Sequence, residues 1–352
     1  MSSIQRLRLY YHQHEGRVAG LFFILGFAFD LVAVGRVDSW HVIVQQAIYL
    51  AVVTAILTRM FFSSDDAPQP RYRTAILGFC LGTLLNLYTI FFFKSSSLLV
   101  SFAFMLVMVA LLLANEFGPF RRLGLAFKFA LLSVCGLAFC ANVVPIVFGR
   151  IGVDVFLVSI AVGCMPMIAL TAWIRRRAPE RLPRVRNQIL VPFGVVLAVF
   201  LGAYLLRVIP PVPLSIPFIG VYHSVERSGE QYRLAHERPA WRIWHNGDQR
   251  FRAQEGDRVF VFFRVFSPTR FADEVRMAWY RKQDGWVLQD SIPIKIVGGR
   301  AEGFRGYGFK SRYQPGDWKV QVETTDGREI GRIYFTLELV PQAPRAFAIE
   351  VQ

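Results

Sequence analysis

Seven apolar stretches, at about 18–35, 40–62, 74–93, 97–115, 123–149, 152–174 and 188–209, fill the first 209 residues of this chain. Each is long enough for the ~20 residues a helix needs to cross a hydrocarbon core. The loops between them alternate between many basic residues and few. Arg6, Arg8 and Arg17 precede the first stretch and only Arg36 follows it. Arg59, Arg71 and Arg73 come next, then Lys94 alone, then Arg121, Arg122 and Lys128, then Arg150 alone, then six arginines between Arg175 and Arg186. Fifteen basic residues fall on one side and four, counting Arg207, on the other. Basic loops stay cytoplasmic. The expectation is a seven-helix membrane bundle over 1–209 with a cytoplasmic N-terminus and everything beyond Arg207 outside. The first stretch follows an Arg-containing flank, as a signal peptide would, but no small-x-small site precedes the next one, so it is expected to be retained. Trp40 and Trp173 stand at span ends, as interfacial aromatic anchors do.

That placement explains most of the formal charge of +15. Residues 1–209 hold 19 basic and 8 acidic residues, and the remainder 21 and 17. The excess therefore belongs to loops facing anionic headgroups, and nucleic acid is not an expected partner. All four cysteines, Cys80, Cys135, Cys140 and Cys164, lie inside apolar stretches without metal or redox spacing. The outer part has none, and the chain has no Asn-x-Ser/Thr sequon. These features fit a bacterial inner membrane with a periplasmic domain that folds without disulfides.

Residues 210–217, PPVPLSIP, read as a stiff, extended linker that lifts the C-terminal part of the chain off the bilayer. Beyond it the period changes to two. Trp318, Val320, Val322 and Thr324 alternate against Lys319, Gln321 and Glu323; Val275, Met277 and Trp279 do so against Glu274, Arg276 and Tyr280. Ile333, Phe335 and Leu337 repeat the pattern. Such alternation marks strands with one buried face. Asn246-Gly247, Asp284-Gly285, Gly298-Gly299 and Asp326-Gly327 are hairpin signals, and Pro315-Gly316 is a further turn. Residues 218–352 are thus expected to form an all-β antiparallel sandwich, immunoglobulin-like in size and spacing. Phe260, Phe262 and Phe266 make the strand 259–266 apolar on both sides. Either that strand is central, or its second face meets the bilayer or the bundle.

The run RVFVFFRVF, then AWYRKQDGWV, then GFKSRYQPGDWKVQVETTDGREIGRIYFTLE resembles an uncharacterised bacterial domain family, over roughly 258–338. Its most specific feature is Ser311-Arg312 paired with Pro-Gly-Asp-Trp at 315–318. The resemblance implies a domain that ends a membrane-embedded chain and has no established activity. Members often carry a His two residues before the Trp of the second strand; Met277 stands there in this chain.

Polar residues inside or beside apolar stretches normally face protein or water. Asp30, Arg150 and Asp154 are candidates for lining a polar cavity open to the outer side, with His41 and Lys94 at its mouth. The plainer reading makes Arg36, Asp38, Lys94 and Arg150 headgroup-level loop residues, with Asp30 simply paired or solvated. Asn86, deep in the third stretch, reads as an interhelical hydrogen-bonding residue, and Gly78-x-x-x-Gly82 as a close helix contact. On the outer domain, Trp244, Arg305, Lys310 and Arg312 are a candidate binding surface. Gly306 and Gly308 would expose backbone beside Lys310 and Arg312, suiting an anionic glycan or lipid headgroup; glycines inside strands more often mark bulges or close strand contacts.

No phosphate loop, zinc helix or nucleophile elbow occurs, and no metal or cofactor is expected. An N-terminus on the inside argues against a receptor or opsin, and no repeat indicates a transporter. The leading expectation is a non-enzymatic envelope binding or scaffold protein, its sandwich engaging a periplasmic protein, glycan or lipid. The alternative is a polytopic enzyme acting on a lipid-linked substrate, with Asp30 or Asp154 as base and Arg150 and Lys94 holding phosphate.

Overall fold

The computed structural model describes residues 38–63, 70–95, 98–116, 124–239, 241–242, 244–268, 272–297 and 303–352. Among these, five helices are long and apolar enough to cross a membrane: α1 (Trp40–Phe62), α2 (Arg71–Lys94), α4 (Leu125–Phe148), α5 (Val153–Arg177) and α6 (Pro179–Leu205). A further helix, α3 (Leu98–Glu116), carries a shorter apolar run, Phe102–Ala114. The count is therefore five where seven were expected. The first expected span, 18–35, lies outside the described residues, and the fourth falls short in its described length. α4 ends where Gly149 turns left-handed (φ 68°) and donates its N–H to the Pro145 carbonyl. In α6, Pro192 has no N–H to return to the preceding turn, and the helix widens into a π segment over Arg186–Leu190.

One end of the bundle gathers the arginines. Arg181 Nη1 donates to the Phe61 carbonyl at 3.1 Å, and Trp173 packs edge-on to Phe62 with centroids 5.7 Å apart. The ends of α1 and α5 and the start of α6 thus meet around Arg59, Arg175–Arg177, Arg181 and Arg184. The β domain sits on the other end.

Two sheets close on one core. In the first, β5 (Val259–Phe266) lies between β1 (Ser215–Tyr222) and β8 (Phe304–Lys310). The second runs β4 (Arg250–Ala253), β10 (Glu329–Leu339), β9 (Gly316–Thr324), β6 (Ala272–Lys282), β7 (Trp286–Val297). Val261, Phe263, Met277, Trp279, Val320 and Phe335 are buried between them. The inward faces are the ones the alternation indicates.

A third sheet, with β3 (Gln231–His236) between β2 (Ser224–Ser228) and β11 (Ala348–Val351), covers the outer side of β5. Phe218, Tyr222, Leu234 and Phe262 form a second small core there. This settles the doubly apolar strand: β5 is central, and its second face meets a sheet. The pairing also departs from an all-antiparallel sandwich, because β4 joins β10 in parallel. Asp284-Gly285 and Asp326-Gly327 connect β6 to β7 and β9 to β10 as expected. Asn246-Gly247 does not make a hairpin. Gly247 (φ 65°) bridges alongside Val221, and a Cβ there would overlap the Val221 backbone. Gly298-Gly299 lies outside the described residues.

The Pro-rich segment is no free-standing spacer. Ile209 through Leu214 are buried, and β1 begins at Ser215. Pro210, Pro211 and Pro213 are buried at the seam between bundle and sheets, and Pro217 stands exposed in β1.

Candidate functional site

That seam is built from three contacts. The turn after α4 meets the start of β6: the Ala272 N–H donates to the Gly149 carbonyl at 3.0 Å, and the Ile151 N–H to Asp273 Oδ2 at 2.9 Å. The β9–β10 hairpin supplies Arg328, which is 5 % exposed. Its Nη2 donates to the Tyr204 carbonyl at 3.1 Å, its Nη1 to the Ile209 carbonyl at 3.4 Å and its Nε to Asp326 at 2.8 Å. The guanidinium also lies 3.4 Å from the Tyr204 ring centroid, and that ring stacks on Phe156. A cation at the last carbonyls of α6 meets the negative end of the helix dipole. The remaining void in the seam, walled by Phe92, Pro145, Ser159, Tyr204, Pro211 and Arg328, is about 30 Å³, too small for a ligand.

The structure brings two of the candidate cavity residues together. Arg150 Nη1 donates to Asp154 Oδ1 at 3.2 Å and Nη2 pairs with Oδ2, on side chains that are half exposed. His41 lies at the start of α1, in an open depression with Trp40, Gln45 and Tyr49. Lys94 closes α2, and Asp30 lies outside the described residues. Asn142, buried in α4, donates to the Ala138 carbonyl of its own helix at 2.7 Å.

On the β domain, Trp244 is 66 % exposed and packs edge-on to Trp241. Arg305 donates to the Glu230 carbonyl, Lys310 pairs with Asp290 at 3.2 Å, and Arg312 is exposed. The glycines beside them do not bare the backbone. An added Cβ would stand 2.9 Å from the Phe263 ring at Gly306, and 2.9 Å from Met277 Sδ at Gly308. Both glycines face the core, which explains them as close contacts. Met277 itself is fully buried.

A cluster unseen in the sequence lies where β1 passes into β2, beside the end of β3 and the flanks of β4. The His223 side chain, 5 % exposed, has Asp248 Oδ2 3.5 Å and Glu237 Oε2 3.8 Å from Nε2, and Asp257 4.0 Å from Nδ1. Phe251 stacks on its ring at 4.0 Å, and Arg345 clamps Asp257 at 2.9 Å. Asp248 accepts the Glu237 N–H with both oxygens. Burial and then the Arg345 charge hold His223 down at about 4. Burial, with the Glu237 carboxylate adding to it, pushes Asp248 up to about 6 against the Glu237 N–H that favours its charged form. Neutral histidine beside a protonated Asp248 is the state this arrangement favours between those two values. Among the described residues, no group of three or more His, Cys, Asp and Glu is placed to hold a metal ion.

Fold and seam together define a helical, apolar domain carrying a fixed β domain at one end. Residues 272–337, the strands β6 to β10, match a family described as Protein of unknown function (DUF2914). That match falls within the resemblance read from 258–338. No curated protein matches the chain.

Proposed function

We propose that the chain is an integral inner-membrane protein, N-terminus inside, that holds its β domain rigidly on the outer face as a non-enzymatic binding or scaffold module. The observation that carries this is sidedness: the seam lies at the end of the bundle opposite the arginine cluster. Basic ends face the cytoplasm, so the β domain faces the periplasm. Buried Arg328, rather than a flexible stalk, fixes the module's height and orientation. The module then offers a partner exposed aromatic and basic side chains, with Trp244 foremost. The partner is a protein, glycan or lipid of the envelope. The Arg150–Asp154 pair serves as headgroup-level support for the turn on which β6 rests.

Complementation tests this reading. In a strain lacking the protein, residues 1–209 alone are expected to leave the envelope defect uncorrected, while the full chain corrects it. Full correction by 1–209 would refute the proposal.

A further inference from the structure

The solvent side of the five-stranded sheet carries a second aromatic site, at the end farthest from the seam. β9 runs from Asp317 to the seam hairpin at Thr324, a rise on the order of 20 Å. At that far end Trp286 and Tyr334 are 39 % and 40 % exposed, with ring centroids 5.5 Å apart and inclined at 52°. They border an open depression of about 330 Å³, edged by Gln249, Lys282, Asp317 and Thr336, that lies over the strands where the core residues Trp318 and Phe335 sit.

Both rings are held in place from behind. Lys319, only 9 % exposed, puts Nζ 4.1 Å from the Tyr280 ring centroid and 5.5 Å from that of Trp286. Arg332 Nη1 donates to the Tyr334 hydroxyl at 2.8 Å, and Glu329 fixes that arginine. Asp317 Oδ1 accepts the Thr336 hydroxyl at 2.9 Å, which aims the carboxylate along the edge of the depression. Aromatic faces that are exposed yet immobile cost little entropy to bind against.

The geometry points to a saccharide-binding site here, taking one or two pyranose units of a glycan chain. A pyranose has an apolar C–H face to lie on an aromatic ring and a rim of hydroxyls that both donate and accept. Trp286 and Tyr334 supply the rings; Asp317 accepts, Lys282 donates and Gln249 does both. A lipid chain has no use for charged edges this far from the bilayer. A protein interface needs several hundred Å² per partner, and a depression of this size accepts less. This inference rests on the outward placement of the β domain and deepens it by naming the partner class.

The test applies full-length protein in detergent micelles to an array of immobilised glycans, beside Trp286→Ala, Tyr334→Ala and Asp317→Asn. Each variant is first checked for an unchanged thermal transition. Binding to at least one glycan is expected, weakened at least about tenfold by either aromatic change and several-fold by D317N. D317N removes only an exposed charge, so it keeps the test informative if an aromatic variant misfolds. No glycan bound, or binding that all three changes leave intact, overturns the site. So does a protein partner whose capture the same changes abolish. If the site fails while residues 1–209 still fail to complement, the scaffold reading stands and only its glycan partner is lost.

Discussion

His223 and Asp248 carry opposite pH dependences that cancel in the native protein. Folded Asp248 keeps its proton up to about 6, against 3.8 in the unfolded chain, so its contribution to stability falls as pH rises across that window. Folded His223 is neutral down to about 4, against 6.5 unfolded, so its contribution is lost as pH falls. Between these limits the pair holds one proton in either state, and the two slopes offset. Asp248→Asn leaves the histidine slope alone: stability should rise by about 3 kcal/mol from pH 4 to 6.5. His223→Gln should reverse that sign, with a similar fall between pH 4 and 6. Urea unfolding of the β domain in the intact chain reads both, and slopes of the same sign would contradict the pairing. A second residue-scale test is Gly308→Val, whose side chain would enter the space of Met277 Sδ. It should destabilise the β domain by about 1–3 kcal/mol, and Met277→Ala in the same chain should restore part of the loss. None of this cluster was legible beforehand. Residues 223, 237, 248, 257 and 345 are scattered over more than a hundred positions, and they meet only where the ends of β1, β3 and β4 come together. The glycine pair was visible, but the side chains facing it, Phe263 and Met277, belong to two other strands.

At the scale of elements, Arg328 is the claim most open to test. It bonds the buried carbonyls of Tyr204, in the last turn of α6, and Ile209, just beyond it, together with partly exposed Asp326. Arg328→Met should leave those acceptors unsatisfied and cost about 2–4 kcal/mol at the seam. Hydrogen exchange should then quicken in the 324–328 turn and around Ile209 while the β5, β6 and β9 amides stay protected. Uniform loss of protection would mean that Arg328 holds the core of the β domain instead. Strand faces and two hairpins were readable, because burial follows the period of two and Asp-Gly closes β6–β7 and β9–β10. Asn246-Gly247 misled for a physical reason: its glycine answers to a neighbouring backbone, and only the fold supplies that neighbour. The prolines of 210–213 misled similarly. They limit backbone freedom in either setting, and the apolar residues among and just after them, Val212 and Leu214, marked burial.

For the whole molecule, alternating basic loops and a bundle with its β domain at the Arg-poor end both support the proposed orientation. The α-then-β division was legible from the long apolar stretches and the change to a period of two after them. The number of spans was less so, since apolar length measures the capacity to cross and α3 falls near its limit. The most direct measurement is accessibility at the far end of the β domain. A cysteine at Asp284, in the exposed β6–β7 turn, is introduced after the four native cysteines are replaced. The full-length protein is then treated with a membrane-impermeant maleimide in intact spheroplasts. Complete labelling is expected before lysis. Labelling that appears only after the membrane is broken would put the β domain in the cytoplasm and contradict the proposed orientation.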